Sequence, residues 1–187
     1  MAYTPTAGDG PYYFAAVAGD AAGYREAEPA GPGDSATLYD TTAPTSSATA
    51  PTYANSAAIT VTFAAADAGI GVGETILWVR PPLTTTWATT ALVLTGTSGA
   101  FVYTPTAGDG PYFFAARSTD QLGNWEAEPT GAGDTMTIYD RAAPASTAVA
   151  PAYANAVPIT VTFVASDTVS GVAYTEPVSY THLRAHE

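Results

Sequence analysis

Hydrophobic and polar residues alternate along several short stretches of the chain. The clearest stretch runs from Ala58 to Ala65, where Ile59, Val61 and Phe63 are separated by polar or small residues. Alternation with a period of two places successive side chains on opposite faces of a strand, so this stretch predicts a strand with one buried face. No stretch of about twelve residues keeps the apolar period of a helix. The pattern therefore predicts an all-β protein.

Similar patterns predict further strands, separated by the turn signals AGDG, DQLG and GAGD. In one-letter code, these strands are ETILWVR (residues 74–80), ALVLTG, GAFVYTP, PYFFAARSTD, NWEAE and DTMTIYD. About seven or eight short strands with polar turns within about one hundred residues are typical of a Greek-key β-sandwich.

The chain also repeats itself with an offset of one hundred residues. The stretch YTPTAGDGPYYFAA from Tyr3 aligns without a gap with YTPTAGDGPYFFAA from Tyr103, and residues 43–72 align with residues 143–172. Roughly 60% of the aligned positions are identical, which is far above chance for a repeat of this length. The alignment divides the chain into a leading segment (residues 1–40), a central segment (residues 41–140) and a trailing segment (residues 141–176). We interpret them as the C-terminal half of one repeat, a complete repeat and the N-terminal half of a third.

The last eleven residues, PVSYTHLRAHE (residues 177–187), depart abruptly from the repeat. The codons GTC TCT TAT ACA CAT CTC CGA GCC CAC GAG spell residues 178–187 and resemble the transposase adapter used to build sequencing libraries. We therefore expect a non-native, adapter-derived tail and exclude it from fold reasoning. The tail holds both histidines of the chain, His182 and His186.

The amino-acid composition argues against several classes of function. The formal net charge is -12 and lysine is absent, so the chain lacks the basic face that binding to nucleic acid or an anionic membrane requires. Without cysteine it can form neither disulfides nor thiolate metal sites. No apolar run approaches the length of a membrane span, and the first residues do not resemble a signal peptide. We expect no membrane insertion, and the acidic balance fits an extracellular or surface protein.

The stretch TAGDGPYFF (residues 106–114) resembles the approach to strand F of immunoglobulin-like domains. Together with ITVTF, LWVR and the connection YDxxAP, it is similar to the immunoglobulin-like or fibronectin-type-III-like modules that recur in large bacterial surface and secreted proteins. The resemblance implies an immunoglobulin-like Greek-key β-sandwich with neighbouring modules as partners. It also implies that Tyr112 is a tyrosine-corner residue, whose hydroxyl returns to the upstream backbone, and that Phe114 replaces the second disulfide cysteine.

Catalysis is not expected. Residues 1–176 contain no histidine, cysteine or lysine, the usual acid, base and nucleophile side chains. Glu126 and Glu128 are spaced as a carboxylate pair, but they recur as Glu26 and Glu28. A pair repeated in each copy is more simply interpreted as a solvated strand face.

Aspartates that recur one hundred residues apart suggest a different site. In an immunoglobulin-like topology Asp40, Asp67 and Asp120 would gather at one end of the sandwich, where oxygen ligands could hold Ca²⁺ at about 2.4 Å. Their equivalents one hundred residues away are Asp140, Asp167 and Asp20. The alternative, which the sequence favours, is that such aspartates cap tight turns through local hydrogen bonds.

Three tryptophans raise the possibility of carbohydrate stacking. Trp78 lies on the strand that usually carries the core tryptophan of immunoglobulin-like domains, so we expect it to be a core residue. Trp125 is replaced by Arg25 in the leading segment, which indicates an exposed position, and Trp87 lies in a threonine-rich stretch. Trp87 and Trp125 are the candidate glycan-binding residues.

Two functions remain open. The first is a non-catalytic spacer or stalk module of a large extracellular or cell-surface bacterial protein. The second is a module that binds glycan or a surface protein through its loops and aromatic residues. In either case the flanking half-repeats expose strand edges, so we expect them to stay disordered, to pair with their complements, or to associate with another chain.

Overall fold

The computed structural model describes residues 2–179, and these residues form twelve strands and no helix. The strands are β1 (Gly10–Phe14), β2 (Ser35–Tyr39), β3 (Thr45–Thr49), β4 (Tyr53–Ala54), β5 (Ile59–Ala66), β6 (Val72–Arg80), β7 (Ala88–Thr95), β8 (Ser98–Tyr103), β9 (Gly110–Asp120), β10 (Thr135–Tyr139), β11 (Ala145–Val149) and β12 (Thr162–Ser166). The all-β prediction is confirmed. Over this range nothing resembles a membrane-spanning helix. Residues 180–187, with most of the expected adapter-derived tail, lie outside the described residues.

The central segment forms two sheets that face each other. One contains five strands in the order β4-β10-β9-β6-β7, and the other contains three in the order β3-β5-β8. Adjacent strands run antiparallel, except that β4 pairs with β10 in parallel. The core lies between the sheets and comprises Ala48, Ile59, Val61, Phe63, Ala65, Leu77, Val79, Phe101, Tyr112, Phe114 and Tyr139. The central segment therefore has a sandwich-like architecture.

Strand β5 shows how the alternating pattern builds this core. Ile59, Val61 and Phe63 are buried, whereas Thr60 and Thr62 on the opposite face are exposed. The Phe63 ring stacks on that of Phe101 with a centroid separation of 5.1 Å. Full burial of a side chain of this size contributes about 1.5–3 kcal/mol, so this face fixes the strand against the opposite sheet.

Tyr112 fixes the turn before β9. Its side chain is fully buried, and its hydroxyl donates to the Gly108 carbonyl (2.9 Å) and accepts from the Ala107 N–H (3.0 Å). The predicted return of this hydroxyl to the upstream backbone is confirmed. Tyr12 makes the same two bonds in the leading segment.

Strands one hundred residues apart pair in the same way. Gly10 pairs with Tyr39 between β1 and β2, just as Gly110 pairs with Tyr139 between β9 and β10. Strands β11 and β12 pair in the register of β3 and β5, shifted by one hundred residues. Each flanking segment thus forms a two-stranded sheet, the counterpart of one part of the central segment.

Two local predictions fail. The stretch NWEAE (residues 124–128) is not a strand, since only an isolated bridge links Trp125 to Thr119. Strands β3 and β4 are missing from the predicted strands. Strand β4 has only two residues, and the sequence of β3, TSSAT, is almost entirely polar and buries only Ala48 deeply.

Candidate functional site at the two junctions

Two short connections join the three segments. The first junction is DTTAP (residues 40–44), and the second is DRAAP (residues 140–144). Each begins with an aspartate directly after a strand, β2 or β10, and each aspartate is buried. Because a buried carboxylate needs hydrogen-bond donors, its partners show what each junction is tied to.

Asp40 ties the first junction to the central segment. Its Oδ1 accepts from the Thr42 N–H (3.0 Å), and its Oδ2 accepts from the Ile70 N–H (2.7 Å) in the loop between β5 and β6. An ideal Cβ built on Gly69 would lie 1.9 Å from Oδ2, so at this junction the carboxylate occupies the space that a side chain on residue 69 would need. The linker is therefore held against the loop of the following segment.

Asp140 makes the equivalent contacts at the second junction. Its Oδ1 accepts from the Ala142 N–H (2.9 Å) and its Oδ2 from the Ser170 N–H (3.0 Å). The pKa of Asp140 lies below its usual value, chiefly because of a hydrogen bond from the Ser170 side chain. Desolvation raises this pKa, but the bonds from the two N–H groups lower it further. The same device thus appears twice, although Val169 replaces Gly69.

A second aspartate holds each junction from the preceding segment. Asp9 accepts from the hydroxyls of Thr41 (2.9 Å) and Thr42 (2.6 Å), and Asp109 accepts from the Arg141 N–H (3.3 Å). The Thr42 hydroxyl, followed by the Thr41 N–H and hydroxyl, lowers the pKa of Asp9. Each junction is therefore bonded to the segments on both of its sides.

The loop that follows β9 also bonds to the first junction. The Asn124 side-chain amide donates to the Asp40 carbonyl (3.2 Å) and to Asp120 Oδ2 (2.7 Å). Desolvation by itself raises the pKa of Asp120, but hydrogen bonds from the Asn124 N–H and side chain and from the Leu122 N–H outweigh it, so the pKa falls. Asp120 orders the loop that reaches the linker.

The predicted calcium ligands thus lie on three loops that meet at one end of the central segment, but their oxygens face N–H donors. Asp67 Oδ2 accepts from the N–H groups of Gly69 (3.0 Å) and Gly71 (2.7 Å), while its Oδ1 is buried with no hydrogen-bond partner. Among residues 2–179, no three His, Cys, Asp or Glu side chains are arranged to hold a metal ion. These bonds are those of turn capping, and calcium binding by Asp40, Asp67 and Asp120 stays a hypothesis.

The equivalent aspartates of the flanking segments make the same kind of capping bonds. Asp167 Oδ1 accepts from the N–H groups of Val169 and Gly171, and Asp20 Oδ1 accepts from those of Ala22 and Tyr24. The recurrence of these aspartates therefore follows from recurring loop shapes.

Aromatic and arginine side chains cover the outer face of the five-stranded sheet. Leu77 and Val79 point into the core, so Trp78 between them points away from it. The Arg117 guanidinium lies 5.5 Å from the ring centroid of Trp78 and 5.1 Å from that of Trp125. The predicted core position of Trp78 is therefore wrong: its side chain is buried, but by this stack on the outer face and not between the sheets.

A second stack lies on the same face. The Arg80 guanidinium is 4.0 Å from the ring centroid of Phe113 and 5.6 Å from that of Trp87. Trp87 also packs against Gly133, where a Cβ would come within 2.4 Å of the ring. Trp87 is consequently half-buried, whereas Trp125 is 38% exposed.

Sequence reasoning missed the role of Glu126. Its carboxylate accepts from the Ser46 N–H (2.5 Å), the Ser46 hydroxyl and the Ser118 N–H (2.6 Å), so it bridges β3 and β9 across the two sheets. The solvated-face interpretation is therefore wrong for Glu126. It fits Glu128, whose side chain is 68% exposed and lies 3.9 Å from Arg117 Nη1. The only signal was that Glu126 recurs as Glu26.

Asp134 makes a parallel bridge. Its Oδ2 accepts from the N–H groups of Ala48 and Ala116, both at 2.9 Å. We call Glu126 and Asp134 the strand clamp, because together they hold the edge strand β3 against β9.

Comparison with known proteins finds no relative of this chain. No protein-family model, no curated protein and no solved structure matches the chain. Function is therefore inferred from the contacts at the two junctions and on the outer face of the five-stranded sheet.

Proposed function

We propose that the chain is a non-catalytic spacer made of tandem immunoglobulin-like Greek-key sandwiches, belonging to a large extracellular or cell-surface bacterial protein. The observation that carries this proposal is the repeated junction contact. Asp40 and Asp140 each accept one N–H from their own linker and one from the next segment. A spacer needs neighbouring modules in a constant orientation, and a bonded linker provides it.

The strand arrangement supports the immunoglobulin-like assignment. A three-stranded sheet (β3-β5-β8) faces a sheet in which β10, β9 and β6 are adjacent, and β4 crosses over to pair with β10. The buried Tyr112 with its hydroxyl bonded to Gly108 matches the tyrosine corner of such domains.

The linker chemistry supports limited motion between modules. Proline at positions 44 and 144 restricts the backbone at the end of each junction. The paired aspartates Asp9 and Asp40 bond the linker from opposite sides, so bending at the first junction would break hydrogen bonds with charged acceptors. Modules joined without such bonds would move relative to one another by default.

Distances between spin labels test this proposal. The chain has no cysteine, so Ala36→Cys on β2 and Thr60→Cys on β5, both exposed positions, give unique labelling sites on either side of the first junction. We expect a narrow distance distribution that Asp40→Ala broadens. Asp20→Ala is the matched control, since it removes a loop-capping aspartate without contacting a linker. Equal widths for Asp40→Ala and the unsubstituted labelled protein would contradict a bonded joint.

A second function is favoured by the outer face of the five-stranded sheet. The leading segment has Val17 and Arg25 at the positions of Arg117 and Trp125, yet β1 and β2 pair as β9 and β10 do. The stack is therefore not needed for that pairing, and its exposed Trp125 ring could bind a glycan by stacking. Glycan-array binding by the full chain that disappears with Trp125→Ala or Trp87→Ala, but persists with Tyr24→Ala in the leading segment, would establish this function.

A further inference from the structure

The outer face of the five-stranded sheet concentrates positive charge on an acidic protein. The formal net charge is -12, and the only basic residues besides histidine are five arginines. Two of these, Arg80 and Arg117, lie on this one face of the central segment, each beside two aromatic rings. Because most of the remaining charge is negative, this face is a local site of attraction for an anion.

Arg80 has no acceptor of its own. Within the described residues no carboxylate forms an ion pair with it, and its Nε is buried without a hydrogen-bond partner. The indole N–H of Trp78, two residues earlier on β6, is also buried and unpartnered. In contrast, Arg117 Nε donates to the Glu126 carbonyl (2.9 Å), and Arg117 Nη1 lies 3.9 Å from Glu128. A charged donor without an acceptor is unfavourable, so the Arg80 side of the face lacks a partner rich in acceptor oxygens.

The register of β6 and β9 sets the distance between the two arginines. Arg117 pairs with Ile76, which lies four residues before Arg80 on β6, and Trp78 lies between them on the same face. At about 3.3 Å per residue, the two arginine positions are therefore about 13 Å apart along the sheet. A ligand that reaches both must be extended and must carry more than one acidic group.

Aromatic rings and guanidinium groups recognise different parts of an acidic sugar. The exposed Trp125 ring and the half-buried Trp87 ring offer flat apolar surface on which the face of a pyranose ring can stack. A guanidinium group pairs with a carboxylate through two parallel hydrogen bonds. An acidic peptide would satisfy the arginines but would leave these two rings without a matching flat partner.

We propose that the outer face of the five-stranded sheet binds a polysaccharide of uronic acids. Arg80 pairs with one carboxylate of the polymer and Arg117 with another, while Trp87 and Trp125 stack on sugar rings. This inference rests on the second function proposed above, and it names the chemical class of the glycan.

Polygalacturonate and its methyl ester test the proposal with the full chain, because the two polymers share a backbone and only the first carries carboxylates. We expect polygalacturonate to bind at least about tenfold more tightly, as expected when hydrogen bonds between charged groups are gained. Added salt should reduce this difference. Oligogalacturonates too short to reach both arginines should bind more weakly than longer ones, and so should poly-glutamate, which has carboxylates but no sugar rings.

The outcomes separate this inference from the glycan-binding function on which it rests. Equal affinity for polygalacturonate and its ester would overturn the recognition of carboxylates and leave glycan binding in place. Binding of poly-glutamate as tight as that of polygalacturonate would overturn the role of the sugar rings. Binding to neither galacturonate polymer would also overturn the inference, while binding to neutral glycans on an array would still support the second function.

Substitutions locate the site. Arg80→Gln should lower the affinity for polygalacturonate at least about tenfold but should leave the affinity for the ester little changed, because only the pairing with a carboxylate is lost. Arg25→Gln is the matched control, since it removes the same charge from an exposed arginine of the leading segment that pairs with Glu28 (2.7 Å). Glu128→Gln should raise the affinity for polygalacturonate, because it removes a carboxylate that competes for Arg117.

Urea unfolding of each variant confirms that it is folded before its binding is compared. Equal affinities of Arg80→Gln and Arg25→Gln for polygalacturonate would contradict a site at Arg80. An equal loss of affinity of Arg80→Gln for the acid and for the ester would show that Arg80 supports the face without contacting a carboxylate, and would likewise overturn the proposal.

Discussion

Removal of the Glu126 carboxylate tests whether the strand clamp holds the central segment together. Glu126→Ala deletes an acceptor with three donors, two on Ser46 and one on Ser118. A hydrogen bond to a charged group contributes about 1.5–3 kcal/mol, but these three share one carboxylate and are not additive. We expect the free energy of unfolding to fall by about 2–4 kcal/mol, since the N–H groups left behind are partly buried.

Glu128→Ala is the matched control, two residues away on the same stretch. Its exposed side chain has a single ion pair at 3.9 Å, a contact that contributes about 0–1 kcal/mol. Urea unfolding followed by tryptophan fluorescence isolates the effect, because all three tryptophans lie in the central segment. Losses that agree within about 0.5 kcal/mol for the two variants would refute the clamp.

Further predictions concern the turn before β9 and the junction aspartates. Tyr112→Phe should lower the free energy of unfolding by about 1–3 kcal/mol, because two hydroxyl bonds are lost, whereas Tyr53→Phe, with an exposed side chain in the same central segment, should change it little in the same urea titration. The lowered pKa values of Asp9 and Asp140 mean that their stabilisation is complete above the usual value of 3.8 and is lost as the pH falls through the folded-state pKa, so distances across each junction should broaden only below about pH 4. Turn capping by the junction aspartates predicts equal melting temperatures in EDTA and in calcium chloride; a higher value with calcium would support coordination instead.

Features that depend on neighbouring residues could be predicted from the sequence. Strand β5 follows directly from the alternation of Ile59, Val61 and Phe63. The bonds of Tyr112 to Ala107 and Gly108 span only five and four residues, so a short motif was enough to indicate them.

Features that depend on residues far apart in the chain could not be predicted from the sequence. Glu126 looks like Glu128 in the sequence, and its role appears only when Ser46, eighty residues earlier, is placed beside it. Strand β3 is similarly hidden, because it pairs with β5 and is held by carboxylates of the connection between β9 and β10, and it lacks a regular apolar face. The three aspartate loops could be expected to meet from topology, but the direction of each carboxylate depends on local loop geometry.

The parallel pairing of β4 with β10 has a consequence for a protein under tension. Tyr53 pairs with Ile138 and Ala54 with Tyr139, and the N–H groups of Ile138 and Asp140 donate to the carbonyls of Thr52 and Ala54, both at 2.9 Å. A pull on the two ends of the central segment first loads β3, and once β3 has separated from β5 and the strand clamp, it draws β4 towards its N-terminal end and β10 towards its C-terminal end. Because the strands are parallel, that force slides them past each other along their length. The hydrogen bonds between them then carry the load together in shear, and cannot be peeled apart one at a time.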